Sequence, residues 1–341
     1  MAAPAHSPGS RPADPALKAA QASGLLTRLL HPLAIATVIG LAAPLAAASP
    51  TPVPATNPET SMTRYQSDQA ETQYVQAGEV RYAYRRFGAP GGVPLVFFQR
   101  FRGTIDHWDP LLLEVIASQR QVIVFDNAGV GASSGSFAPD IAGAAKSAAA
   151  FVDALGLRQI DALGWSMGGI LVQQLALERP DLIRRMVLAA TGPGGVAEAP
   201  RAPDKVWQVA SKPVNDDEDF LYLFFNETPT SRAAGLASLR RLDTRLLKSH
   251  AVVTPETWKN QMGAIGAWAM GKGAAYPRLG EIKIPALVAN GANDVMIHAY
   301  NSYAISQRLP QATLLLYPDS GHGFLFQYAQ AFGQQVVDFL R

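Results

Sequence analysis

The sequence predicts an α/β fold, a doubly wound, mostly parallel sheet with an inserted helical cap, and three observations carry that reading. The first is a set of short apolar runs with little alternation at 94–98 (PLVFF), 121–125 (QVIVF), 160–164 (IDALG), 185–190 (RMVLAA), 285–289 (PALVA) and 312–317 (ATLLLY). Such runs suit strands buried on both faces of a parallel sheet. The second is the helix-like spacing at 144–155, 169–178 and 300–308 between them, which gives the βαβα alternation of a doubly wound sheet. The third is the stretch from 191 to 284, too long for a simple crossover and therefore an inserted subdomain.

Each element follows in order. Tyr74-Val75 and 80–84 flank Ala77-Gly78-Glu79, which reads as an antiparallel hairpin opening the sheet. The insertion holds Trp207, Trp258, Trp268, Phe220, Tyr222, Phe224 and Phe225, and 232–248 has helical spacing, so it reads as a helical cap. Most of these aromatic side chains are expected to pack the cap's own core. The α/β core then covers 72–194 and 279–341, with the cap at 195–278.

Upstream of the core, Lys18 and Arg28 precede an apolar run over 33–48 that ends in Ala46-Ala47-Ala48, the small-residue pattern of a cleaved signal peptide at 1–48. The run is broken by Pro44 and is short for the roughly 20 residues of a spanning helix, so no stable membrane insertion is expected after cleavage. Residues 49–71 read as a disordered Pro/Thr/Ser linker. Export to the periplasm or medium follows, with a cytoplasmic enzyme as the alternative if translation starts at Met62. Twenty-nine Lys plus Arg against 27 Asp plus Glu leave a net charge of +2, so no excess of positive charge points to nucleic acid. The absence of cysteine removes disulfides, thiolate nucleophiles and Cys-ligated metals.

The chemistry must then come from oxygen, imidazole or carboxylate. Gly164-Trp165-Ser166-Met167-Gly168-Gly169 sits where a buried strand meets a helix, a context that makes G-x-S-x-G a nucleophile elbow. The sharp turn exposes Ser166 Oγ at the carboxyl end of the sheet and sets the Met167 N–H beside a developing oxyanion. A serine needs a base, and among six histidines His322 lies in the loop after the last strand, between Gly321 and Gly323. His107, beside Trp108 after the first parallel strand, is the competitor. The base needs an acid to fix its tautomer, and Asp294 follows the PALVA strand 28 residues before His322. Asp319 is the rival carboxylate, read as a turn residue.

The order Ser, Asp, His, the elbow and the capped parallel sheet resemble the α/β-hydrolase family over roughly 75–341. Within that family the chain is most similar to esterase-like and cofactor-free haloperoxidase-like members, because 126–133 (DNAGVGAS) resembles the D-x-x-G-x-G-x-S loop, with Asn127 where arginine is usual. The family commonly carries His-Gly after the first parallel strand, whereas this chain reads Gln99-Arg100-Phe101-Arg102-Gly103. Counting back from Trp108, the resemblance puts the second oxyanion donor at the Phe101 N–H. Arg100 and Arg102 read as surface charges or, for one of them, as a partner of an anionic substrate.

The resemblance implies a serine hydrolase acting on a small-molecule acyl substrate, an ester above all, with no cofactor and no metal. Two alternatives stay open: a perhydrolase/haloperoxidase-like or proline iminopeptidase-like enzyme, and a small-molecule binding protein on the same fold.

Overall fold

The computed structural model describes residues 65–341; the signal peptide, the Met62 start and most of the linker lie outside the described residues. Eight strands form one sheet: β1 (Gln73–Ala77), β2 (Val80–Gly88), β3 (Leu95–Phe98), β4 (Gln121–Phe125), β5 (Ile160–Trp165), β6 (Ile183–Ala189), β7 (Ala286–Gly291) and β8 (Ala312–Tyr317). Their order is β1-β2-β4-β3-β5-β6-β7-β8. The hairpin β1–β2 and the β2–β4 pair are antiparallel, and every later pairing is parallel. The order in which strands are added reverses between β3 and β5, and open α/β sheets bind ligands outside the carboxyl ends of the strands at such a point.

The helices divide between the two faces of this sheet. Before the hairpin comes α1 (Gln66–Gln69), followed along the chain by α2 (Pro110–Ala117), α3 (Ile141–Ala154) and α4 (Met167–Glu178). Four cap helices separate β6 from β7: α5 (Asp204–Ala210), α6 (Asp217–Phe224), α7 (Pro229–Leu246) and α8 (Pro255–Ala269). The chain closes with α9 (Tyr300–Arg308), α10 (Phe324–Gln327) and α11 (Ala329–Phe339). Val96 and Phe98 of β3 face one core with α3, α4 and α9, whereas Leu95 and Phe97 face a second core with α2 and α11. All four β3 side chains are buried, which is why the strand sequences are apolar without alternation. The edge strand β8 departs from this, its residues being half-buried or exposed.

One expectation is corrected at its edge. Residues 49–71 read as linker, yet Gln66–Gln69 is helical: the Gln66 N–H donates to Glu114 at 2.8 Å, and Arg245 Nη2 donates to the Ser67 and Ala70 carbonyls. Tertiary anchors hold a short segment that has no helical signal of its own. Polar contacts also clamp the cap onto the core. The buried Asp109 carboxylate accepts from Ser238 Oγ and, in a two-pronged pairing, from Arg241. Trp268 Nε1 donates to the Gly192 carbonyl at 3.2 Å. Among the described residues no helix is long and apolar enough to cross a membrane.

Candidate active site

Ser166 stands between β5 and α4 with φ +57° and ψ −119°, left-handed backbone that a non-glycine residue adopts only when its surroundings enforce it. The surroundings are explicit. The Ser166 N–H donates to the Ala189 carbonyl at 2.9 Å, and its own carbonyl accepts from the buried Thr191 hydroxyl at 2.7 Å. A Cβ at Gly164 would strike the Gly168 backbone, and one at Gly168 would strike the Phe98 carbonyl, so both glycines are required for strand β3, strand β5 and helix α4 to meet this closely. Met167 is the first residue of α4, so its N–H has no intrahelical acceptor and joins the positive end of the helix dipole.

His322 and Asp294 are brought together by loops after β8 and β7. His322 Nδ1 lies 2.8 Å from Asp294 Oδ2, and both side chains are fully buried. Asp294 Oδ1 accepts from the Met296 and Ile297 N–H groups at 2.8 and 2.9 Å, which fixes the carboxylate and leaves Oδ2 for the imidazole. A carboxylate only accepts, so Nδ1 carries a proton, and in the neutral ring Nε2 is then the nitrogen that keeps its lone pair. That Nε2 is buried without a hydrogen-bond partner among the described residues. Buried polar atoms in native proteins are usually paired, with protein groups or with ordered water.

The imidazole is held from two further sides. Trp165 Nε1 donates to the His322 carbonyl at 3.0 Å, and its ring lies 5.8 Å from the imidazole. The Phe224 ring of the cap stacks on His322 at 5.8 Å and 22°, while the Phe224 carbonyl accepts from the Gly323 N–H at 2.7 Å. Gly321 and Gly323 sit against Phe224, which explains the absence of side chains beside the histidine. Asp319 faces the cap instead: its Oδ1 accepts from Thr228 Oγ1 at 2.7 Å, and its φ of +45° marks a turn.

The loop after β3 supplies the other wall. Gln99 is buried, its Nε2 donating to the Thr104 carbonyl and its Oε1 accepting from the Arg100 N–H, both at 2.8 Å. Gly103 is required because a Cβ there would strike the Gln99 side chain. The Phe101–Arg102 peptide is gripped on both sides, its carbonyl by Arg100 Nη1 at 2.8 Å and its N–H by Gln261 Oε1 at 3.0 Å. The preceding amide, the Phe101 N–H, donates to no acceptor among the described residues.

A family model described as "alpha/beta hydrolase fold" matches residues 93–328. The chain belongs to this family. It is 31% identical over 260 residues to the poly(3-hydroxyalkanoate) depolymerase of Ectopseudomonas oleovorans, covering 75% of this chain and 87% of that one. It is 25% identical over 204 residues to a 2-hydroxy-6-oxononadienedioate/2-hydroxy-6-oxononatrienedioate hydrolase of Comamonas testosteroni, covering 58% and 68%. Among solved structures, an alpha/beta hydrolase fold protein from Chitinophaga pinensis superposes with a TM-score of 0.74 at 38% identity, covering 81% of this chain and 98% of that chain. The relatives are hydrolases by name, and this chain is a hydrolase.

Seen as an α/β-hydrolase, the chain places its sequence-selected residues unevenly. His107, the rival base, is committed to its own loop: Nδ1 accepts from the Thr104 N–H at 3.0 Å and meets Thr104 Oγ1 at 2.8 Å. Burial, and then the charge of Arg100, push its pKa down to about 3, so the ring is neutral. Of the remaining histidines within the described residues, His250 and His298 are exposed, the latter just ahead of α9. Asp126 organises the D-x-x-G-x-G-x-S loop, its Oδ1 accepting from the Ile105 N–H and its Oδ2 from the Ala132 N–H. Arg102 is neither a free surface charge nor an anion site. Its guanidinium donates to the Ala210, Lys212 and Pro213 carbonyls and tethers the loop to the cap. Trp165, Phe224, Gln99 and Gln261 carried no signal in sequence, because each acts through a tertiary partner; only the position of Trp165 beside the serine pointed to it.

Proposed function

We propose that the chain is a serine hydrolase of carboxylic esters that works through an acyl-enzyme at Ser166. The observation that carries this reading is the buried Asp294–His322 pair, whose Nε2 has no partner among the described residues and makes no hydrogen bond to Ser166 Oγ, packed against Trp165, the residue that precedes the strained, elbow-mounted serine. Ser166 Oγ attacks the substrate carbonyl as its proton passes to His322 Nε2, and Asp294 stabilises the imidazolium that forms. The tetrahedral oxyanion accepts from the Met167 and Phe101 N–H groups, which have no competing acceptor and need no reorganisation. The imidazolium then gives its proton to the departing alkoxide. Water attacks the acyl-enzyme with His322 again as base and restores the serine. A relative named for depolymerising a poly(3-hydroxyalkanoate), which is a polyester, supports an ester over other acyl bonds.

The test is hydrolysis of short-chain p-nitrophenyl esters by the wild type and by the Ser166→Ala, His322→Ala and His107→Ala variants. Turnover lost in the first two and retained in folded His107→Ala supports the mechanism. Equal turnover in Ser166→Ala overturns it, and cleavage of prolyl amides or peracid formation in place of ester hydrolysis moves the reading to an iminopeptidase or perhydrolase.

A further inference from the structure

Arg100 differs from every other arginine around the site. Its backbone directly precedes the Phe101 N–H, and its guanidinium carbon lies 5.0 Å from the Phe224 ring centroid and 5.4 Å from that of Trp165, the two rings that also flank His322. Its side chain is half-buried, beside the buried rings of Trp165 and Phe224. Among the described residues it makes no ion pair, and only one of its donors is used, Nη1 on the Phe101 carbonyl. Nε is buried and unpartnered.

The neighbourhood offers no counter-charge. Burial, and secondarily the positive charge of Arg102, push the guanidinium down to about 9, and no carboxylate opposes them. Arg102, two residues away, shows what a structural arginine does here: its donors reach backbone carbonyls of the cap. A second unsatisfied donor comes from cap helix α8, which contacts this loop at Arg102. Gln261 is fully buried, its Oε1 is fixed by the Arg102 N–H, and its Nε2 has no partner. Orienting the amide by its backbone donor settles which end is nitrogen. Buried unpaired donors are costly, and a planar guanidinium with free N–H groups matches the two oxygens of a carboxylate in a bidentate fork.

We propose that Arg100 is a specificity-determining residue that binds a carboxylate of the substrate, so that the enzyme takes carboxylate-bearing esters such as half-esters of dicarboxylic acids. The inference rests on the ester-hydrolase reading above for its kinetics and is independent of it for binding. The two aromatic rings lie within cation–π range of the guanidinium and lower the polarity around it, which strengthens its pairing with an anion. The Gln261 amide gives the same substrate group, or its chain, a neutral donor.

Monomethyl succinate, glutarate and adipate are compared with their dimethyl esters as substrates of the wild type, Arg100→Met and Arg100→Lys. The expected result is a kcat/KM at least tenfold higher for one half-ester than for its diester in the wild type. That ratio falls at least tenfold in Arg100→Met and falls less in Arg100→Lys, which keeps the charge and loses the fork. A purely structural role for Arg100 lowers both substrates by the same factor and leaves the ratio intact, which overturns the proposal, as does a wild type without preference. Calorimetric binding of the same half-esters to Ser166→Ala and to Ser166→Ala/Arg100→Met gives a readout without turnover, with binding expected to weaken at least tenfold. Arg100-dependent binding with no hydrolysis by the wild type defeats the esterase reading and keeps the subsite; Ser166-dependent hydrolysis of diesters with binding indifferent to Arg100 does the reverse.

Discussion

The two ends of the central sheet treat buried charge in opposite ways. At the amino end, Asp161 of β5 is fully buried and saturated: Arg184 reaches both of its oxygens, through Nε at 2.9 Å and Nη2 at 2.7 Å, and Arg120 adds Nη2 at 2.5 Å. The same arginines donate to the Leu340 carbonyl, and Arg185 donates to that of Phe339, so the cluster pins the end of α11 beneath the sheet. At the carboxyl end, Asp294 is just as buried and has no arginine. It has two backbone amides and a histidine, and beyond them His322 Nε2, Arg100 Nε and Gln261 Nε2 have no partners. Asp161 is saturated by partners that hold the fold together, whereas the Asp294–His322 pair leaves one ring nitrogen without a partner among the described residues.

The sharpest test of that contrast substitutes the same way at both ends. In Asp294→Asn, the remaining amide oxygen stays with the Met296 and Ile297 N–H groups, and the –NH₂ turns toward His322 Nδ1. That favours the tautomer with its proton on Nε2, which cannot act as base. Ester turnover is expected to fall about 10⁴-fold with little change in melting temperature. In Asp161→Asn, two buried or half-buried arginines lose their counter-charge, and stability is expected to fall by about 3 kcal/mol, read in denaturant unfolding, while kcat per folded molecule is unchanged. Equal activity losses in both variants would break the division between the two ends.

How much of this was legible in the sequence follows the same division between local and tertiary signals. The elbow, the histidine loop and the strand runs lie in contiguous patterns, because a strand-to-helix turn needs glycine at fixed offsets and a doubly buried strand needs an unbroken apolar run. Asp294 was placed by its position after β7, and the structure brings it to His322. The roles of Arg100 and Arg102 were not separable, since two arginines one residue apart look alike until the cap carbonyls take up one of them. The N-terminal boundary slipped for the same reason: Gln66–Gln69 is helical through Glu114 and Arg245, distant residues that no local window contains.

A smaller effect divides His107 from Asp126 within one loop cluster. The folded pKa of His107 is depressed to about 3, so as pH falls below about 6.5 the unfolded chain takes a proton first and stability is lost between those values. Asp126 runs the other way: burial raises it to about 6, so stability is gained as pH falls from about 6 toward the ordinary carboxylate range. The two slopes oppose each other in the wild type. In His107→Gln the first is removed, and the difference in unfolding free energy between pH 6 and pH 4 is expected to shift toward the acid side, by at most about 1.4 kcal/mol per pH unit. An unchanged pH profile would show that burial and the charge of Arg100 do not depress His107 in the folded protein.

The smallest expected effect tests whether the cap does more than roof the crevice. Phe224 ends α6, stacks on His322 and accepts from the Gly323 N–H through its carbonyl. Phe224→Leu keeps that carbonyl and the apolar volume, and removes the aromatic face. An aromatic pair is worth about 0.5 to 1.5 kcal/mol beyond area burial, so kcat is expected to fall about 2- to 10-fold if the ring orients the imidazole. KM for a neutral ester should change less than kcat, because the contact is to the base and not to the substrate. A rise in KM at constant kcat would instead make Phe224 part of the substrate wall, and the carboxyl end of the sheet would then owe the placement of its histidine to Trp165 and Asp294 alone.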